Sequence, residues 1–414
     1  MSFKNKLTVT VMLLATLIQS VAFFAGASYQ KANVIDDFYS RDKKLLCISH
    51  RGYCENYPEN SFEGIKAALE KGADFVSVNL DKTDDGVFYL CERESLGNVC
   101  NAPYESLSEL DSSEVEQYFL YDVFGRETKY KLTSLARLLE NTDSEDGIIL
   151  DVLSEDKDAV YDILSAHDAV DRVIIRAEES ISKLIKWAES KEEKVNVIGV
   201  YTGNIIFSTV SAVKSLTNAQ MPAVQYESKN YFNVAYGEFF TNRFLNGENV
   251  RAVASAYSPD LCGQRGDSSD GWNELIKKGY SVIETNNIEA FLSYRSETEA
   301  LERKITELMN ECAEIENEKY SQVSLSNFTK ARVGCDNLLS DAVFSLDEAQ
   351  KAYSDLLYAL KEMKISSGEV DTKGALNITA GKVVAAVLVG AALLAGQIYV
   401  YRMRKDKKEK KESK

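Results

Sequence analysis

Between residues 45 and about 295 the chain alternates short apolar runs with amphipathic stretches. The runs at 45–49, 75–80, 87–91, 148–152, 173–176, 195–200, 222–225, 250–255 and 281–284 each predict a strand. Between most of them lie helical patterns, as at 61–71, 158–166, 180–190 and 272–278. Strands that alternate with helices imply a parallel sheet, and over about 250 residues a (β/α)8 barrel is the expected α/β architecture. Nine runs are one more than that barrel needs, so one of them lies outside it or is not a strand. Thr83-Asp84-Asp85-Gly86 reads as a tight turn between the second and third runs.

After residue 295 the pattern changes to long helices. Leu301, Ile305, Leu308, Cys312 and Ile315 step by fours and threes. Phe328, Ala331, Cys335 and Leu338 do the same, and so do Ala349, Tyr353, Leu356, Leu360 and Met363. Ser345 with Glu348 forms a capping box ahead of the third stripe. The economical reading is a three-helix bundle over 296–365. Cys312 and Cys335 fall on inward stripes at similar distances from the intervening turn, which makes them a candidate disulfide.

The ends of the chain differ from its body. Lys4 and Lys6 precede an apolar run to Phe24, and Ala25-Gly26-Ala27 supplies small residues for cleavage, so 1–27 reads as a secretory signal. Residues 383–401 carry no charge, and nineteen helical residues span roughly 28 Å, enough for a bilayer core. The tail at 402–414 holds eight Lys/Arg against three acids, which keeps it cytoplasmic by the positive-inside rule. Residues 366–382 then form a polar stalk, and the expectation is a single-pass cell-membrane protein with its ectodomain outside.

The formal charge of −16 conceals a more acidic body: 28–382 holds 38 basic and 61 acidic residues. That excludes a nucleic-acid partner, because phosphate backbones need a basic surface. Two histidines exclude a multi-histidine metal site. Seven cysteines outside the membrane make disulfides chemically open; Cys47 and Cys91, on apolar runs, read as small buried hydrophobes, while Cys54 and Cys100 lie in loops.

The candidate chemistry begins where the first strand ends, at Ser49-His50-Arg51-Gly52, followed by Pro58-Glu59-Asn60-Ser61 and a helix. Gly72-Ala73-Asp74-Phe75 leads into the second strand, Tyr130-Lys131-Leu132-Thr133-Ser134-Leu135 precedes the fourth, and Gly279 to Asn286 reads Gly-Tyr-Ser-Val-Ile-Glu-Thr-Asn. In order and spacing these segments resemble the glycerophosphodiester phosphodiesterase family, whose fold is a TIM barrel. The resemblance implies a site at the C-terminal mouth: a carboxylate-held divalent metal, two histidines as acid and base, and an arginine on a phosphate oxygen. It assigns His50 and Arg51 to catalysis, and Arg51 with Glu59 to substrate binding.

Where the family has Glu-x-Asp on the second strand, this chain has Ser77 and Asn79. Where the family has His-Asp, it has Glu92 and Arg93, and the fourth-strand Glu is Asp151, followed by Leu153 rather than Lys. Glu92 is thus a degenerate second-histidine position, and Asp151 is a weak metal ligand beside degenerate ligand positions Ser77 and Asn79. His167, at a predicted helix end, cannot stand in for the missing histidine. A structural reading of His50-Arg51-Gly52 also stands: the glycine serves the turn and the arginine a local carboxylate. Ser345 to Tyr353 with Leu356 to Leu360 resembles FIVAR-type helical modules of bacterial surface proteins. Arg265-Gly266-Asp267, the tripeptide some adhesion receptors read, is a chance occurrence.

The expected function is a membrane-anchored barrel with lapsed or reduced catalysis, acting as a surface binding or structural module. Its partners would be the membrane and a phosphate-bearing small molecule or cell-envelope polymer. No cofactor is expected, with weak Ca²⁺ or Mg²⁺ only if catalysis survives. The alternative is an active phosphodiesterase that releases glycerol phosphate and an alcohol from glycerophosphodiesters or teichoic-acid-like polymers.

Overall fold

The computed structural model describes residues 34–40, 45–93, 96–177, 179–201, 223–226, 250–258, 265–313, 315, 320–341 and 343–363. The expected signal segment 1–27, stalk 366–382, membrane span 383–401 and basic tail 402–414 lie outside them, as does Cys262. Among the described residues no helix is long and apolar enough to cross a membrane.

The described elements are α1 (Val34–Tyr39), β1 (Leu46–His50), α2 (Phe62–Lys71), β2 (Phe75–Lys82), β3 (Phe88–Leu90), α3 (Leu96–Val99), α4 (Ser112–Val115) and α5 (Leu135–Glu140). Then come β4 (Gly147–Val152), α6 (Lys157–Ala166), β5 (Val173–Ala177), α7 (Ile181–Glu189), β6 (Asn196–Tyr201) and β7 (Ala223–Tyr226). The last are β8 (Arg251–Ser255), α8 (Ser269–Lys277), β9 (Val282–Thr285), α9 (Ile288–Cys312), α10 (Gln322–Ser340) and α11 (Leu346–Lys361). Eight strands pair in parallel around a closed ring, β1-β2-β4-β5-β6-β7-β8-β9 and back to β1. The ninth predicted strand, β3, lies outside the ring, antiparallel to β2. The predicted turn explains its exclusion. Gly86, at φ +82°, donates its N–H to Thr83 O at 2.9 Å, and a reversal this tight joins only antiparallel neighbours.

Alternation along the strands splits the apolar residues into two layers. Ile48, Phe75, Ile149, Ile174, Ile198, Val253 and Val282 fill the barrel, while Cys47, Val76, Ile148, Ile175, Val197, Ala252 and Ile283 face the helices. Cys47 and Cys91 are buried as expected. The interior layer is closed from below by α1, whose Val34, Ile35 and Phe38 join its core. A six-residue helix is too short to show a periodicity, so the sequence pattern gave no sign of this plug. Arg251, buried at the same end, donates to the Asp37 carbonyl at 3.0 Å.

The three C-terminal helices share a core of Ile305, Met309, Cys312, Phe328, Cys335, Ala349, Leu356 and Ala359. Cys312 and Cys335 both lie in it, as thiols. The Ser345 capping box is formed, with Glu348 accepting from Ser345 N at 3.0 Å. The expected boundary at 295/296 falls inside α9, because that one 25-residue helix serves both the barrel and the helices that follow. Its Phe291 and Tyr294 pack edge-on against Trp272 of α8, and its Ile305 and Met309 join the downstream core.

Candidate functional site

The strand ends of the barrel carry the His-Arg-Gly loop. Arg51 takes a left-handed conformation (φ +60°), and its N–H bonds to Ser77 O at 2.9 Å. Gly52 follows at φ +95°, and a Cβ there would stand 2.8 Å from the Gly64 carbonyl carbon, so only glycine fits. Ser61 caps α2 by accepting from Gly64 N at 3.1 Å. Asn60 ties the loop to β2, accepting from Asn79 N at 3.0 Å. Arg51 Nη1 donates to Glu59 Oε2 at 2.8 Å, and its Nη2 pairs with Glu92. The arginine thus serves local carboxylates, as the structural reading anticipates.

His50 stacks on Tyr257, ring centroids 4.1 Å apart, and its Nδ1 lies 2.8 Å from Asn286 Oδ1. That oxygen can only accept, so Nδ1 carries the proton and Nε2 keeps its lone pair. Burial holds the imidazole below its ordinary pKa, with Arg51 adding to the effect against the opposing pull of Glu284. Asn286 is itself fixed: its N–H bonds to Asp267 Oδ2 at 2.7 Å, and Asp267 also accepts from Thr285 Oγ1 and Trp272 Nε1. Asp267 ends the Arg-Gly-Asp tripeptide, and Arg265 pairs with Glu274, so both charged members are engaged inside the protein.

At the centre of the mouth stands a residue the motif comparison passed over. Arg176 rises from β5, and Glu284 from β9, four places away around a ring of eight strands. Strands so related face each other across the barrel, so a bond between them crosses the axis. Arg176 Nε and Nη2 donate to Asp151 Oδ1 and Oδ2 at 2.5 and 2.7 Å. Nη1 reaches Gln225 Oε1 at 2.5 Å and Glu284 Oε2 at 3.1 Å, and Nη2 reaches Glu284 Oε1 at 3.0 Å. A guanidinium has five N–H groups, and all five are used here. Glu284 is completely buried and accepts further from Ser77 Oγ at 2.5 Å and Ser255 Oγ at 2.8 Å.

With Arg176 in place, these oxygens leave no room for a divalent metal. Both oxygens of Asp151 face Arg176, and Ser77 spends its hydroxyl on Glu284. Asn79 Oδ1 is buried without a hydrogen bond, a single neutral oxygen. Among the described residues no three of His, Cys, Asp and Glu are grouped to hold a metal. Asp151, expected as a weak ligand, is here the counter-ion of an arginine. The spare hydrogen-bonding power of the cluster goes into neutralising charge within the fold.

Electrostatics follows from that closure. Burial alone would raise the Glu284 carboxyl, but the Arg176 charge and the hydrogen bonds from Arg176 and Ser77 outweigh it, lowering it from 4.5 to about 2. A carboxyl depressed in the fold contributes stability that is complete above its ordinary pKa and is lost as pH falls from about 4.5 through about 2. The expected result is a urea midpoint that falls steadily across that acid window. In Glu284→Gln the same window is flatter, and an equal slope in both proteins would contradict the assignment.

The structure gathers His50, Arg51, Glu59, Glu92, Ser77, Asn79 and Asp151 at one end of the barrel. His167 stands apart, as the C-terminal cap of α6. Arg176, Gln225, Tyr257 and Glu284 were not singled out from the sequence. The available signal was a charged residue within an otherwise apolar strand, in Val-Ile-Ile-Arg-Ala and Val-Ile-Glu-Thr. On strands buried on both faces, such a charge needs a partner inside the barrel.

Comparison with known proteins agrees with this architecture. Residues 50–198 match the model of the glycerophosphoryl diester phosphodiesterase family. A glycerophosphodiester phosphodiesterase of Caldanaerobacter subterraneus subsp. tengcongensis is 28% identical over 147 residues, 32% of this chain and 57% of that protein. The matched segment therefore spans little more than half of that relative. A crystal structure of a glycerophosphoryl diester phosphodiesterase from Parabacteroides distasonis superposes with a TM-score of 0.53 at 20% identity, covering 64% of this chain and 93% of the other. At that identity the likeness is one of fold.

Proposed function

Taking residues 50–198 as a glycerophosphoryl diester phosphodiesterase family domain, we propose that this barrel has lost diesterase catalysis and serves as a surface binding or structural module. One observation carries the reading: each arginine at the mouth, Arg51 and Arg176, is held by two carboxylates of the protein itself. A phosphodiester is an anion, and it would have to displace those carboxylates to be gripped. Glu92, standing where the family has its second histidine, is one of them, so the residue best placed to replace that acid–base is paired with Arg51. The secretory start and the 383–401 apolar segment support a membrane-anchored protein with its barrel outside the cell. We place the three C-terminal helices, with their FIVAR-like third helix, as the spacer between barrel and membrane.

The rival reading, a working diesterase for glycerophosphodiesters or teichoic-acid-like polymers, draws on His50. A neutral imidazole oriented by Asn286 retains a basic nitrogen, and Arg51 Nε is buried without an acceptor. The deciding assay incubates the purified full-length protein with glycerophosphocholine and glycerophosphoglycerol in Ca²⁺ or Mg²⁺, and measures glycerol phosphate. The expected result is no release above that of His50→Ala. Metal-stimulated release that His50→Ala abolishes would establish the rival reading.

A further inference from the structure

We infer that Arg176 is the resident cation of this barrel, standing in for a divalent ion, and that the oxygens around it form a latent hard-cation site which the guanidinium fills. This deepens the reading of a catalytically lapsed mouth and rests on it. The argument is one of place, charge and donor chemistry. The guanidinium lies on the axis between β5 and β9. It binds Asp151, the carboxylate that survives at a family metal position, and through Glu284 it is one hydrogen bond from Ser77, another such position.

In charge, the cluster holds two carboxylates and needs a cation: Glu284 is fully buried and Asp151 largely so. Arginine suits that task because its planar fork meets two carboxylates at once and remains charged when dehydrated. In donor chemistry, every group that receives an Arg176 N–H is an oxygen, from Asp151, Gln225 or Glu284, with the hydroxyls of Ser77 and Ser255 directly behind. An all-oxygen set with two carboxylates is what Ca²⁺ or Mg²⁺ takes, and it offers nothing to a soft metal. The guanidinium and a divalent ion thus compete for the same oxygens. Ser77 belongs to the arrangement as well, because a carboxylate in its place would lie against Glu284 and leave the cluster short of positive charge.

Removing Arg176 tests this. Thermal unfolding of the full chain and of Arg176→Ala is compared in EDTA and in about 10 mM Ca²⁺ or Mg²⁺, where a bound ion stabilises by mass action. The unaltered protein is expected to unfold at the same temperature in all three. Arg176→Ala is expected to unfold earlier in EDTA and to recover saturably with one of the two ions. If the variant does not fold in EDTA, refolding yield with and without metal is the readout, and equal yields, including none in either, overturn the inference. The triple change Arg176→Ala, Asp151→Asn, Glu284→Gln removes the charges together; it is expected to fold and to ignore both ions, and a persisting response would place the site elsewhere. Metal-stimulated diesterase activity in the unaltered protein would defeat the functional reading, whereas a metal-blind Arg176→Ala defeats this inference alone.

Discussion

Glu284→Gln is expected to cost about 3–5 kcal/mol of unfolding free energy, the usual penalty for removing one charge from a buried ion pair. The change is nearly isosteric, so cavity formation contributes little and the loss reports charge. Arg176 would retain Asp151, but two of its five N–H groups would lose an ionised acceptor in a site closed to water. The triple change Arg176→Met, Asp151→Asn, Glu284→Gln removes the arginine and both its carboxylates, and is expected to be less destabilised than the single change, because no unpaired charge remains buried. Urea unfolding of the three proteins measures both quantities. A Glu284→Gln loss below about 1 kcal/mol, the level of an exposed pair, would show that the carboxylate is not essential to the arginine.

The second large effect belongs to the opposite end of the barrel. Phe38→Ala is expected to destabilise by about 3–5 kcal/mol, the range for truncating a buried aromatic. Phe38 is completely buried and meets Phe75 edge-on at 5.2 Å, so it contacts a residue of the barrel interior directly. Its loss would leave a void beneath Ile48, Ile149 and Ile174, with which it shares a core. Replacing the nearby exposed Asp36 by alanine should change stability by under about 0.5 kcal/mol, the usual scale for surface positions. Equal effects at the two positions would mean that α1 does not seal the barrel.

The barrel was legible because its signal is repeated. Short apolar runs spaced by amphipathic helices impose a parallel ring, and the Thr83–Gly86 turn marks the strand that must leave it. The site was legible in position only. His50, Arg51, Glu59 and Asp151 follow from motif spacing, because strand ends fix where side chains converge. Their partners are a different matter. That Arg176 meets Glu284 depends on β5 facing β9 across the axis, more than 100 residues away along the chain. No local pattern contains that distance. Arg176 and Glu284 look like two separate exceptions in two apolar strands, and only ring closure makes them a pair. The boundary drawn after residue 295 lies within α9: a helix keeps one periodicity whether its neighbours are strands or helices, so the change of partner along it leaves no mark.

That shared helix also makes the protein a lever. At about 1.5 Å per residue its 25 residues extend roughly 38 Å, from the barrel wall to the far end of the downstream core. It begins four residues after Glu284, the carboxylate that anchors the central arginine. A tension applied at the C-terminal helices would therefore arrive, with little slack between, at the strand that holds the mouth together. Such a load would pass through the same stretch of backbone that sets Glu284 against Arg176.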